Sequence, residues 1–268
     1  MHHSKAARSD IQRLKETFHD RGVLYLEQLI SATKVRSARR AIQKRMEHAG
    51  IWKNGTWSVD HLRNAPLNEG ATFSRKLKGC REFDDLVAGE IPEIVSHLLD
   101  GQDTFTGMAV PQPLFTLPNA ESWTVPYDSW HLDAPRLPNW DIPGVQIFTF
   151  LDSVAPGGGG TVVVAGSHRL LNESERIRSK DVKKRLKDVP YFRDLMSSQT
   201  RDRQRFIQEV GYYGDIELQV IELHGEPGDV YFVDLRVLHA PAPNATSIPR
   251  AMLTRRYFLE AVRSMIYE

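Results

Sequence analysis

Residues 227–240 read PGDVYFVDLRVLHA and contain two short apolar runs separated by a turn. A Pro-Gly-Asp turn precedes the first run, and the second run ends at His239. Short β-rich runs that are bounded by glycine and proline indicate antiparallel strands. The segment therefore predicts a strand, a turn and a second strand that delivers a histidine.

The same rhythm extends over the second half of the chain. Apolar runs recur at 104–110, 113–117, 145–151, 161–165, 217–223, 229–233, 236–239 and 251–259. Many short strands with turn signals predict a mainly β fold, a sandwich or a barrel, over residues 104–260. Residues 169–210 interrupt this β-core, because they are dense in charge and compatible with helix. We interpret them as an insertion between strands.

The first part of the chain, residues 9–100, has helical spacing instead. Apolar residues recur at three- and four-residue intervals from Asp10, a candidate N-cap, and a second helix is predicted from Ser31 to Met46. Residues 23–27 predict a short strand, and Ile91–Leu99 a short amphipathic helix. No stretch resembles an interdomain linker, so we expect one domain, residues 1–268, with helices flanking a β-core.

Composition narrows the function classes. The chain has 35 basic and 34 acidic residues, so net charge gives no reason to expect nucleic acid as a partner. Its single cysteine, Cys80, excludes an intrachain disulfide, and no run of about 18 apolar residues predicts a membrane span. The N-terminus has no apolar signal-peptide region, whether or not His2 and His3 are native. We expect a cytoplasmic protein with a small-molecule partner and leave its oligomeric state open.

Three residues form a candidate metal site. His131 and Asp133 lie two apart in WHLD, and residues two apart in a strand share a face. Taken alone, this pair favours the simpler interpretation of a half-buried histidine beside a turn. His239 follows Asp133 by 106 residues, and a barrel brings such distant strands together. Two histidines and one carboxylate with open positions form the ligand set of non-haem Fe(II) oxygenases.

Arg250 is the fourth candidate. It follows His239 by 11 residues and begins the last strongly apolar strand. A guanidinium inside a barrel is costly unless a carboxylate pairs with it, preferably through two parallel hydrogen bonds. The alternative is an exposed arginine beside Pro249.

These segments together resemble the phytanoyl-CoA dioxygenase family of Fe(II)/2-oxoglutarate oxygenases. The resemblance runs from about Asp10 to about Phe258 and rests on FHDRGVLYLEQLIS, WHLDAP, PGGGGTVVVAGSHR, PGDVYFVDLRVLHA and the arginine that follows. It implies a double-stranded β-helix, the jelly roll of cupin-like proteins. It also implies conversion of 2-oxoglutarate and O₂ to succinate and CO₂, coupled to oxidation of a substrate C–H bond.

The resemblance also assigns roles to residues. His131, Asp133 and His239 would hold Fe(II), and Arg250 would anchor 2-oxoglutarate. Gln146, Phe148 and Thr161 would help line the co-substrate pocket, although Gln146 and Phe148 are equally readable as plain core. Because a carboxylate occupies position 133, hydroxylation or a similar oxidation is favoured over halogenation.

Residues around the metal motif suggest a substrate pocket. Tyr127, Trp130 and Arg136 crowd the motif, and this clustering suits a pocket mouth or the packing of a loop on the barrel. Arg256 falls on the same strand face as Arg250. It could meet an anionic substrate or lie in water beyond the end of the barrel, and we favour water.

Three further hypotheses concern function. Many members of this family modify small natural products, which favours a secondary metabolite as substrate over an acyl-CoA. The alternative function is a cupin-like metalloprotein, an isomerase or a binding protein, that does not use 2-oxoglutarate. The insertion 169–210 is interpreted as a mobile lid over the iron, with Tyr191, Phe192, Leu195 and Met196 closing onto a bound substrate. The equal alternative is a solvated helical decoration of the surface.

Overall fold

The computed structural model describes residues 5–48, 50–58, 77, 80–107, 110–138, 142–171 and 175–267. His2 and His3, residues 59–76 of the helical part and residues 172–174 of the insertion lie outside the described residues. No helix in the described ranges is long and apolar enough to cross a membrane.

Helices occupy the N-terminal part, the insertion and the end of the described chain. They are α1 (Lys5–Arg21), α2 (Ala32–His48), α3 (Arg81–Leu86), α4 (Glu90–Leu98), α5 (Ser179–Leu186), α6 (Pro190–Leu195), α7 (Arg205–Gln208) and α8 (Arg263–Tyr267). The strands are β1 (Val23–Leu26), β2 (Trp52–Lys53), β3 (Thr56–Trp57), β4 (Thr104–Thr106), β5 (Gln112–Thr116), β6 (Gly144–Phe150), β7 (Thr161–Ala165), β8 (Gly211–Tyr213), β9 (Ile216–Glu222), β10 (Val230–Asp234), β11 (His239–Pro241) and β12 (Arg250–Leu259).

Two antiparallel sheets form the core. The larger sheet has six strands in the order β1-β10-β6-β12-β4, and β5 pairs with the first half of β12. The smaller sheet has the order β11-β7-β9-β8. Side chains from both sheets, among them Phe148, Phe150, Val163, Tyr231 and Met252, meet in one buried cluster between them. The predicted mainly β, jelly-roll fold is confirmed.

Helices cover the outer face of the larger sheet. Ile147 and Phe232 point away from the inner cluster and pack with Phe18 of α1, Ile42 of α2 and Val95 of α4. Because both faces are covered, all seven residues of β6 are buried. A strand buried on both faces is mostly apolar and does not alternate regularly with polar residues. Residues 145–151 (VQIFTFL) fit this except at Gln146 and Thr149, whose buried side chains donate hydrogen bonds.

The N-terminal part differs from its prediction in two respects. Helix α1 begins at Lys5, so Asp10 lies inside the helix and does not cap it. Strand β1, which was assigned to the helical part, pairs with β10 along its whole length and forms an edge of the larger sheet. The β-core therefore recruits a strand about 80 residues before its predicted first one.

The insertion is a structural layer, and the lid hypothesis based on its apolar residues is wrong. Phe192 and Leu195 are 0% exposed and pack with Val162 and Val220 on the outer face of the smaller sheet. The Arg203 guanidinium joins this layer to the loop before the metal motif by donating to the carbonyl oxygens of residues 125, 126, 195 and 197. If these side chains moved onto a substrate, the apolar outer face of the smaller sheet would lose the residues that pack on it.

One buried ion pair lies at the end of β10. Asp234 and Arg236 are 2% and 6% exposed, and Arg236 Nη2 lies 2.7 Å from Asp234 Oδ2. Burial by itself would raise the pKa of Asp234, but the charge and hydrogen bonds of Arg236 lower it to about 2. The pair is therefore ionised at neutral pH.

Asp234→Asn is expected to destabilise the protein by about 3–5 kcal/mol, because it leaves a buried cation without its partner. Folding lowers the pKa of Asp234, so the ionised carboxylate stabilises the folded state. This stabilisation is complete above the unfolded pKa of about 4 and is lost as pH falls toward 2. Urea unfolding should show a difference between wild type and variant that shrinks from pH 5 to pH 3. Asp215→Asn, whose side chain is 89% exposed, is the control, and an equal effect of both substitutions would contradict the prediction.

Candidate metal centre

A backbone bridge brings the two predicted histidines together. His131 N donates to His239 O at 2.8 Å, and His239 N donates to His131 O at 3.0 Å. Residues paired directly across two antiparallel segments project their side chains to the same side, and here the ring centroids are 4.3 Å apart. His239 begins strand β11, whereas the sequence placed it at the end of a strand.

Asp133 completes the cluster. Its Oδ2 lies 3.3 Å from His239 Nε2, and its Oδ1 lies 3.9 Å from His131 Nε2. One donor atom from each of the three residues lies within 4.8 Å of the others. An ion with bonds of about 2 Å brings its donor atoms to about 3–4 Å from one another, so the three side chains fit a metal with small adjustments.

Hydrogen bonds orient both imidazole rings for this purpose. His131 Nδ1 lies 2.8 Å from Ser129 O, and His239 Nδ1 lies 3.1 Å from Val237 O. A carbonyl partner fixes the proton on Nδ1 and leaves the Nε2 lone pair for a metal. Both Nε2 atoms face Asp133.

Electrostatics favours the protonation states that bind metal. Burial and the neighbouring His239 lower the pKa of His131. Burial opposes ionisation of Asp133, but His239 and Arg256 outweigh it and hold the Asp133 pKa well below its usual range. A neutral imidazole and an ionised carboxylate are the forms that coordinate metals.

The Gly-Ser-His turn connects the strands that carry these residues. Leu238 N, directly before His239, donates to Ser167 Oγ at 2.9 Å, and Ser167 Oγ donates to Val164 O at 2.6 Å. Arg136, three residues after Asp133, donates to Ser167 O at 2.7 Å. The Gly-Ser-His letters indicate a turn, but the turn's long-range partners depend on the tertiary fold.

Ser167→Ala is expected to cost about 1–3 kcal/mol of stability, because the buried Leu238 N–H loses its acceptor. It should also weaken Mn(II) binding about 10-fold, as removal of an outer-shell partner of a ligand does. Urea unfolding and Mn(II) titration measure the two effects. Ser153→Ala removes a hydroxyl from an exposed hydrogen bond and is the control. Unchanged Mn(II) affinity in Ser167→Ala would show that the turn does not position His239.

Arg250 lies inside the protein, and part of its guanidinium has no hydrogen-bond partner in the described part of the chain. It is 6% exposed. Among the described residues, its Nη2 donates to Thr116 Oγ1 at 2.5 Å, its Nη1 contacts Met252 S at 3.7 Å, and its Nε has no partner. Burial lowers the Arg250 pKa to about 10, and the charge of Glu222 opposes the shift. The guanidinium thus stays charged at neutral pH, which fits an anionic ligand and removes the alternative of an exposed arginine.

The inner faces of β6 and β12 connect Arg250 with the metal cluster. Residue Thr254 of β12 pairs with Phe148 and accepts a hydrogen bond from Gln146 Nε2 at 3.0 Å. Gln146 and Phe148 are 3% and 2% exposed. Thr161 lies on β7, two residues before the register partner of His239. These positions suit a pocket lining, and Phe148 also belongs to the core cluster between the sheets.

The predicted substrate residues occupy different environments. Trp130 and Arg136 are each 1% exposed, and Trp130 Nε1 donates to Pro126 O at 2.9 Å. Burial of both residues favours the second alternative, packing of a loop on the barrel, over a place at a pocket mouth. Tyr127 is 48% exposed near the Arg203 guanidinium. Arg256 does not lie in water, as we had favoured, but contacts Asp133.

A match to a protein-family model identifies the family of this chain. The model of phytanoyl-CoA dioxygenase matches residues 18–252. The chain belongs to the phytanoyl-CoA dioxygenase family. The predicted enzyme class, a 2-oxoglutarate-dependent dioxygenase, is thereby confirmed, and the alternative of a cupin-like protein that does not use 2-oxoglutarate is set aside.

Solved structures show the same fold as this family member. The α-ketoglutarate-dependent carbocyclase SnoK from nogalamycin biosynthesis is 17% identical, with a TM-score of 0.58 over 92% of this chain and 83% of SnoK. The epimerase SnoN, in complex with Fe³⁺, α-ketoglutarate and nogalamycin RO, is 15% identical, with a TM-score of 0.51 over 94% of this chain and 84% of SnoN.

EctD from S. alaskensis with 2-oxoglutarate and 5-hydroxyectoine is 16% identical, with a TM-score of 0.52 over 93% of this chain and 76% of EctD. No curated protein sequence matches the chain significantly. These identities support the fold, and the chemistry of this chain must be argued from its own residues.

Proposed function

We propose that the enzyme oxidises a C–H bond of a small natural product, with 2-oxoglutarate converted to succinate and CO₂. The observation that carries this proposal is the buried Arg250 guanidinium on the same sheet face that leads to the His131, Asp133 and His239 cluster. A cation with an unpartnered Nε inside the fold suits a dicarboxylate whose other end reaches the metal.

Each residue has a part in this proposal. His131, Asp133 and His239 hold Fe(II) on one face and leave the other positions for ligands. Arg250 binds the distal carboxylate of 2-oxoglutarate, and Thr116 holds one edge of the guanidinium in place. When bound together, iron, 2-oxoglutarate and O₂ supply the oxidation of the C–H bond.

Buried side chains wall the inner face on the side of Arg250, whereas the His131 side chain is 49% exposed. Phe148 and Met252 are 2% and 1% exposed and belong to the cluster between the sheets. The Gln146 side-chain amide donates a hydrogen bond to Thr254, which fixes its orientation. It therefore places a polar group beside the apolar cluster between the sheets. Thr161 provides a hydroxyl on the opposite sheet. A dry, fixed surround strengthens electrostatic contacts and suppresses side reactions.

The comparisons support a small natural product as substrate, and Asp133 bears on the type of reaction. SnoK acts in nogalamycin biosynthesis, and SnoN is bound to nogalamycin RO in its structure. In addition, the carboxylate of Asp133 is present and oriented. In related halogenating enzymes a small residue stands at this position, so hydroxylation or a similar oxidation is the reaction that we propose.

Anoxic titration with Fe(II) and 2-oxoglutarate tests the proposal. We expect a weak visible absorption band only when both are present. On admission of O₂, succinate should form slowly without substrate and faster with a matching compound from a panel of natural products and amino acids. The absence of the band in wild-type protein, or succinate formation that does not depend on Fe(II), would refute the proposal.

A further inference from the structure

A second arginine contacts the metal cluster directly, and the proposed function gives it no role. Arg256 lies on the inner face of β12 and is the register partner of Gln146 in β6. Its Nε and Nη2 donate to the same atom, Asp133 Oδ2, at 2.9 and 2.5 Å. The side chains of Arg256 and Asp133 are 23% and 15% exposed, so solvent screens this contact only in part.

A cation at this position has an electrostatic cost. A guanidinium beside a site for a divalent metal repels the metal, and partial burial strengthens that repulsion. The contact is therefore expected to have a compensating geometric effect. Both N–H groups of Arg256 converge on Oδ2, which also faces His239 Nε2 at 3.3 Å. Oδ1 is the oxygen with lone pairs left, on the side of His131.

We propose that Arg256 is a positioning residue that restricts Asp133 to one-oxygen coordination of the metal through Oδ1. With Oδ2 held by two N–H groups, the carboxylate cannot rotate to bind the metal with both oxygens. The protein then supplies three donor atoms and leaves three positions of an octahedral ion open, enough for a two-point keto acid and O₂. This inference rests on the proposed function.

Metal titration of three variants tests this role. Arg256→Gln removes the charge and the two-point contact, and Arg256→Lys keeps the charge but loses the planar fork. Arg255→Gln is the matched control, because Arg255 is the adjacent residue on the opposite face and pairs with Asp84 at 3.4 Å. Thermal unfolding verifies that each variant is folded, and Mn(II) affinity is measured by electron paramagnetic resonance.

We expect Arg256→Gln to bind Mn(II) about 10-fold more tightly, because the repelling charge is gone and Oδ2 is free as a second donor. Arg256→Lys should change the affinity by less, because the charge stays, and Arg255→Gln should leave it within about 2-fold of wild type. In the Co(II)-substituted protein, the visible spectrum should change in Arg256→Gln and not in Arg255→Gln, because only the former alters how Asp133 coordinates. A merely structural residue would not change this spectrum.

Equal or weaker Mn(II) binding by folded Arg256→Gln, or an unaltered Co(II) spectrum, would overturn the inference. If Arg256→Gln does not fold, the same two measurements on Arg256→Lys test the inference, since lysine keeps the positive charge at position 256. Wild-type protein that binds neither ion would instead refute the proposed function. The two failures are therefore distinguishable.

Discussion

His239→Ala should abolish turnover and reduce Fe(II) or Mn(II) affinity by more than about 100-fold, the upper end of the loss seen when only an outer-shell partner of a ligand is removed. The His239 side chain is 7% exposed, and its Nε2 lies 3.3 Å from Asp133. Alanine removes one of the three donor atoms and leaves a site that water must complete. His131→Ala and Asp133→Ala should have the same effect.

The fold should survive the His239 substitution. The backbone bridge between His131 and His239 uses main-chain atoms only, so alanine can keep it. His224→Ala is the matched control, because this histidine is exposed and lies outside the metal cluster. Anoxic metal titration, succinate release and thermal unfolding are the measurements. Retained activity in His239→Ala at ordinary iron concentrations would show that the metal is held elsewhere.

Arg250→Lys should raise the KM for 2-oxoglutarate by about 10- to 100-fold. A hydrogen bond to a charged group contributes about 1.5–3 kcal/mol, and about 1.4 kcal/mol corresponds to a tenfold change. Lysine keeps the charge but cannot present two parallel N–H groups to one carboxylate. Its ammonium would also lack the contact that Thr116 makes with the guanidinium.

The Arg250 substitution should leave Fe(II) affinity within about 2-fold of wild type, because Arg250 lies at the start of β12, where its side chain contacts Thr116 and Met252 and not the metal cluster. Steady-state kinetics at saturating Fe(II) gives the KM, and anoxic titration gives the metal affinity. Arg255→Lys on the outer face of the same strand serves as control. An unchanged KM would place the anchor at another residue.

Local patterns in the sequence predicted the strands and the candidate ligands. The runs at 145–151 and 161–165 correspond to strands at 144–150 and 161–165, since short apolar runs between glycine-rich turns have few other outcomes. His131, Asp133 and His239 were identified from residue type, spacing and family resemblance. Each of these strands and candidate ligands can be recognised from a few residues of the sequence.

Features that depend on long-range packing were missed. The partner of Arg256 is 123 residues away, and period-two counting gives the face of a residue but not its contact. The insertion was read as a lid from its charge. The spacing of Val182 and Leu186, four residues apart on α5, was the available sign of a buried helix face.

The bridge between His131 and His239 has a thermodynamic consequence for the metal site. Two reciprocal main-chain hydrogen bonds close a loop of more than 100 residues without any contribution from an ion. The chain entropy that is lost on bringing such distant segments together is therefore lost when the sheets fold, and not when the metal binds. In small zinc domains the ion itself drives chain ordering, and binding and folding are one event. Here the donors are pre-organised, so metal affinity reports the coordination chemistry of the site and not the cost of assembling it.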